Sequence, residues 1–150
     1  MRLDKPVVIE DFYEWLPGDG ENSIKLIYDR TLDLIIQYFD ENKGIEVSRV
    51  IKFNFPQYFY KAPLRGPEIY ELKSASGFVK SKKRGQHERI YGKLIEYTVC
   101  DFCKKYEDYF KKETGVANCK FHYYSIIFLE REVKICVISE GVSILDPMPI

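Results

Sequence analysis

Four residues in the stretch CDFCKKYEDYFKKETGVANCKFH (100–122) have types and spacing that could do chemistry: Cys100, Cys103, Cys119 and His122. Their pattern, C-x2-C-x15-C-x2-H, lies in the range of tetrahedral zinc sites, and thiolates with an imidazole suit that metal. Packing is the competing use of the same residues. Cys103 falls on the apolar face of a helix expected over residues 101 to 113, where a free cysteine behaves as a small hydrophobe. Cys119 and His122 stand three apart in a segment that reads as extended, so they would point to opposite faces unless residues 118 to 122 turn. Core cysteines are therefore the expected reading, with no cofactor, and a Cys3His zinc module is the alternative.

Catalytic readings of these residues are weaker. CDFC places a C-x-x-C at a helix start, where thiol pKa falls, but such redox motifs usually sit in a βαβ layout and this chain reads as antiparallel. A Cys-His nucleophilic pair would need His87 or His122 as its base, and no local signature supports it. G-x-G-x-x-G, G-K-[ST] and H-E-x-x-H are all missing. No catalytic residue is assigned.

Charge and aromatic content point to binding instead. Lys plus Arg and Asp plus Glu are both 23, a balance that argues against nucleic acid as the main partner. The distribution is uneven, with six acids against two bases over residues 1–21 and six bases against one acid over 80–93. The basic loop at 80–84 is the one candidate for phosphate contact, and a solvated loop is the preferred reading. Aromatic residues reach 15%, and two loops concentrate them. DFYEWLPGDGE (11–21) and NFPQYFYKAPLRG (54–66) supply Tyr13, Glu14, Trp15, Tyr58, Tyr60 and Arg65 as candidate partner-binding residues. Large rigid side chains of this kind give contact area at low entropy cost.

The elements that must position these residues follow from periodicity. The chain of 150 residues fits one domain, 1–150, with enough length to bury a core. Ile24, Leu26 and Tyr28, then Leu32, Leu34, Ile36 and Tyr38, then Ile45, Val47 and the run to Phe53 alternate like strands, separated by turn residues. They predict an N-terminal antiparallel meander. Residues 56 to 68, with three prolines and a glycine, predict a departure from regular structure, and 69 to 72 a short strand or turn. SASGFVKSKKRGQHER reads as loop, and 90 to 99 as a strand weakened at Gly92. The helix over 101 to 113 is amphipathic, with Asp101 or Thr98 as its cap and Gly115 after its last turn. KFHYYSIIFLE, EVKICVISE and VSILD predict C-terminal hairpins, and Asp146-Pro147 an end to order. The expected class is α+β, mainly antiparallel sheet with one clear helix.

No stretch is long and apolar enough for a signal peptide or a membrane span, so a cytoplasmic location with reduced thiols and no membrane partner is expected. Three segments, IYDRTLDLIIQYFDE, EVSRVIKFNF and HYYSIIFLEREVKICVIS, give the chain a resemblance to a group of small α+β proteins of Gram-positive bacteria. That group includes suspected immunity proteins, which bind and neutralise a companion toxin. The resemblance covers about half of the chain and implies protein binding rather than catalysis. It carries over no functional residue, and the neutral charge leaves the toxin class open.

Overall fold

The computed structural model describes residues 2–17, 20–65, 78–80 and 87–150, with backbone only for 78–80, 87 and 88. The meander is built as its alternation dictates. In β3 (Thr31–Asp40) Leu32, Leu34, Ile36 and Tyr38 are buried while the residues between them are not. β3 pairs antiparallel with β2 (Ser23–Asp29) on one side and β4 (Ile45–Asn54) on the other. The turns that reverse the chain use Arg30 (φ 64°) and Gly44 (φ 66°) in the left-handed region.

The remaining strands are β1 (Leu3–Asp11), β5 (Tyr58–Pro63), β6 (Phe78–Lys80), β7 (His87–Arg89), β8 (Lys93–Cys100), β9 (His122–Phe128), β10 (Val133–Ser139), β11 (Gly141–Ile144) and β12 (Met148–Pro149). They divide between two main sheets. One has the order β1-β8-β9-β10-β5, the other β11-β4-β3-β2 with β12 also on β4, and every pairing is antiparallel. β6 and β7 form a separate hairpin. Inner faces of the two sheets meet in the main core: Leu32, Leu34, Ile36, Val47, Ile51 and Phe53 from one, and Leu94, Tyr124, Ile126, Phe128, Ile135 and Val137 from the other.

The outer face of the first sheet carries the alternate residues of the same strands. Tyr123, Cys136 and Ile138 there meet the helix α1 (Asp101–Thr114) through Cys103, with Phe102, Tyr106 and Phe110 partly buried beside them. The layers are thus sheet, sheet and helix, and the expected α+β class with mainly antiparallel sheet and one α-helix is what the chain adopts among its described residues.

Several local expectations change. The proline-rich stretch holds a strand, β5, because Pro56 precedes it and Pro63 ends it on the sheet edge, where a missing N–H costs nothing. β8 begins at Lys93 rather than at 90, since Gly92 adopts φ 71° and turns the chain first. The cap of α1 is Cys100, whose sulfur accepts the Cys103 N–H at 3.3 Å, while Asp101 is the first helical residue. Gly115 (φ 77°) ends the helix as expected, its N–H bonding to Lys111 O at 2.8 Å. Asp146-Pro147 does not end regular structure, because β12 follows. The expected strand or turn at 69–72 and most of the basic loop lie outside the described residues. No helix among the described residues is long and apolar enough to cross a membrane.

Candidate functional site

The C-x2-C and the C-x2-H converge on one place. β8 delivers Cys100 to the helix start, and the first turn carries Cys103 inward over the sheet. Cys119 precedes β9 in an irregular segment and His122 opens that strand, so the alternation that would separate them does not yet apply. All four residues line a cavity of about 450 Å³, with Tyr97 and Glu107 among its other walls. Two of these side chains have other partners. Besides the cap at Cys100, His122 Nδ1 lies 3.4 Å from Glu96 Oε1. Glu107 Oε2 accepts the Phe121 N–H at 2.9 Å and so ties α1 to the approach of β9. Burial, and then the adjacent Cys100 sulfur, push the Cys103 thiol pKa well up. Among the described residues no group of three or more His, Cys, Asp or Glu side chains is arranged to hold a metal ion.

The six candidate binding residues fall at two ends of the molecule. Tyr13 and Glu14 are exposed on the short 3-10 turn Phe12–Glu14, which Asp11 caps by accepting the Tyr13 N–H at 3.0 Å. Trp15 is half-buried. Its ring packs 5.3 Å from both Phe12 and Tyr38, Arg49 lies 4.7 Å over it, and Nε1 donates to Glu10 Oε1 at 3.2 Å. Tyr13 shares a hollow with Leu129 and Glu130 of the β9–β10 turn, and exposed Arg65 pairs with Glu132 of the same turn. Tyr58 lies at the far end of β5, opposite Ile138, about 17 Å from Pro63 by strand rise. Tyr60 faces inward, with its hydroxyl oxygen accepting from Cys136 Sγ at 3.1 Å.

Three of the N-terminal acids serve this local structure. Asp11 caps the turn, Glu10 holds the indole, and Glu21 pairs with Arg131 at 2.8 Å.

A second set of rings gathers around β5 that single loops did not reveal. Phe59 packs at a tilt 5.5 Å from Tyr28 at the edge of the opposing sheet, and Tyr58, on the other face of β5, lies 6.4 Å from Phe102 of α1. Phe102 in turn is 6.2 Å from Tyr106, and Tyr109 joins both around a shallow hollow. Tyr28 and Tyr109 are 58% and 65% exposed, Tyr58 41% and Phe59 38%. Both edge strands, β2 and β5, lie on this side, and among the described residues no strand pairs with the outer edge of either. The rings therefore form a band that wraps an open edge from one sheet to the helix. In the sequence Tyr28, Phe59 and Tyr109 are scattered, and only the pairing order could have joined them.

Inward-facing phenols behind the band are held neutral. Burial, and then the contact with Cys136, push Tyr60 up to about 12, and burial likewise raises Tyr97, Tyr123 and Tyr124. Comparison with protein-family models, with curated proteins and with solved structures gives no match, so the reading of this site rests on its own geometry.

Proposed function

We propose that this chain works by binding another protein, in the manner of an immunity-type protein that neutralises a companion toxin, and that the aromatic band around β5 is the docking surface. The observation that carries the reading is the continuity of Tyr28, Phe59, Tyr58, Phe102, Tyr106 and Tyr109 across three elements that core packing alone leaves half exposed. Contiguous aromatic surface of this kind is uncommon on a monomer and is what interface centres use. Exposed Arg30, Lys61 and Lys105 border it against Asp29 beside Tyr28 and Asp108 beside Tyr109, a surplus of base that suits a partner presenting acids around an apolar centre. The proposed surface lies away from the acidic N-terminal loop, where Glu10, Asp11 and Glu21 are held in local contacts.

The test compares proteins retained from an extract of the source cells by three immobilised forms. They are the wild type, a Phe59→Ser/Tyr109→Ser variant, and Tyr13→Ser at the opposite end. A protein retained by the wild type and by Tyr13→Ser, but lost with the band variant, supports the reading. Retention unchanged by the band variant, or no specific retention at all, contradicts it.

A further inference from the structure

We propose that Cys100 and Cys103 form a reversible dithiol–disulfide pair that exchanges with a low-molecular-weight disulfide entering the cavity beside α1. The two sulfurs play unequal roles in the fold. Cys100 is partly exposed at the end of β8, an interior strand of its sheet, and Cys103 is buried one helical turn on. Cys100 Sγ already lies 3.3 Å from Cys103 N, so the first sulfur sits over the residue that would bond to it. In front of both lies the cavity of about 450 Å³, wide enough for a small ligand and walled by Tyr97, Cys119 and His122. Lys104, Lys111 and Lys120 also line it, opposed by Glu107 and Asp108. Glu107 is taken up by Phe121 N and lies 3.8 Å from Lys120, which leaves Lys104 and Lys111 against Asp108, a surplus of positive charge that favours a disulfide carrying carboxylates.

The exchange balances in two steps. Cys100, as thiolate, attacks one sulfur of R–S–S–R, forming a Cys100–S–S–R mixed disulfide and expelling RS⁻. Cys103 gives its proton to that thiolate, attacks Cys100 Sγ and expels the second RS⁻, which takes up the proton Cys100 gave up to solvent. Two electrons pass from the protein dithiol to the small disulfide, yielding two RSH and a Cys100–Cys103 bond. Cys103 is buried behind the partly exposed Cys100, so the small disulfide meets Cys100 first, which orders the steps.

The probe is oxidised glutathione, added to the native chain and followed by intact mass and by mapping the peptide 94–104, which contains both cysteines. The wild type and Cys119→Ser are expected to lose the mass of two hydrogens within that peptide and to accumulate no adduct. Cys103→Ser, which cannot close the bond, is expected to retain one glutathione on Cys100. Cys100→Ser is expected to react at Cys103 at least ~10-fold more slowly, because that thiol is buried. A lasting glutathione adduct on the wild type, a bridge to Cys119, or reaction only after unfolding would each overturn the proposal. Serine is a good helix cap, so Cys100→Ser keeps the fold. Should Cys103→Ser fail to fold, the wild-type and Cys119→Ser peptide maps decide the question alone.

Discussion

Replacing Gly92 with alanine tests how the fold presents Tyr13 at the head of β8. Gly92 sits at φ 71°, donates its N–H to Ile127 O at 2.8 Å and accepts the Phe12 N–H at 3.0 Å, so its backbone is fixed from both sides. A methyl group there would lie 2.5 Å from Cε2 and Cζ of Tyr13 and 2.8 Å from its hydroxyl oxygen. Two costs follow. The left-handed conformation itself disfavours a residue with a Cβ by ~1–2 kcal/mol. The Tyr13 ring, half exposed and free to swing outward, would escape the overlap by leaving Lys93, whose Nζ lies 5.4 Å from its centroid. Such a cation–π contact contributes ~0.5–1 kcal/mol at an exposed site. Gly92→Ala should therefore destabilise the chain by about 1.5–3 kcal/mol, a sizeable share of a typical domain's margin. Urea unfolding reads this as a lower midpoint with an unchanged slope. In the Tyr13→Ala background only the backbone term remains, so the same substitution should cost about 0.5–1 kcal/mol less. A Gly92→Ala midpoint indistinguishable from wild type would refute the reasoning.

Other perturbations follow from the same contacts. Trp15→Ala should cost about 2–4 kcal/mol in urea unfolding, because the indole is packed on Phe12 and Tyr38 rather than held out to solvent. A loss below about 1 kcal/mol would restore Trp15 as a surface anchor. Glu107→Ala should remove about 1–2 kcal/mol by leaving the part-buried Phe121 N–H without its acceptor, measured by thermal unfolding. Spectrophotometric titration should show a class of tyrosines that does not ionise with the free phenols. The folded chain keeps protons on Tyr60, Tyr97, Tyr123 and Tyr124 that the unfolded chain releases near pH 10. Their contribution to stability is thus complete below about pH 10 and declines above it, the Tyr60 share being lost as pH rises through about 12. Stability that stays level over that window would contradict the burial of these rings.

The meander was legible because β3 alternates over four buried positions and β4, though Arg49 interrupts it, still buries Val47, Ile51 and Phe53 on one face. The division into two sheets was not legible, since alternation says which residues share a face and not which face they meet. β5 was hidden by its flanking prolines, which mark an edge as readily as a loop. Cys100 as the cap of α1 escaped notice because Thr98 and Asp101 are the usual capping types and thiols are rare ones. Of the candidate site, the C-x2-C and C-x2-H spacings singled out four residues that line one cavity, although the extended reading of 119–122 set Cys119 and His122 on opposite faces. The inward turn of Trp15 toward Phe12, Tyr38 and Arg49 was not legible, because it depends on strands far along the chain.

Protein binding at the β5 side is tested most directly by titrating the retained partner, once purified, against the wild type and against Phe59→Ser/Tyr109→Ser. Both positions are exposed enough for the variant to keep its fold, which circular dichroism checks. Aromatic anchors at an interface centre are worth ~2 kcal/mol or more, so affinity should fall at least ~30-fold. An affinity within about threefold of wild type, roughly 0.6 kcal/mol, would place the docking surface elsewhere and contradict the account.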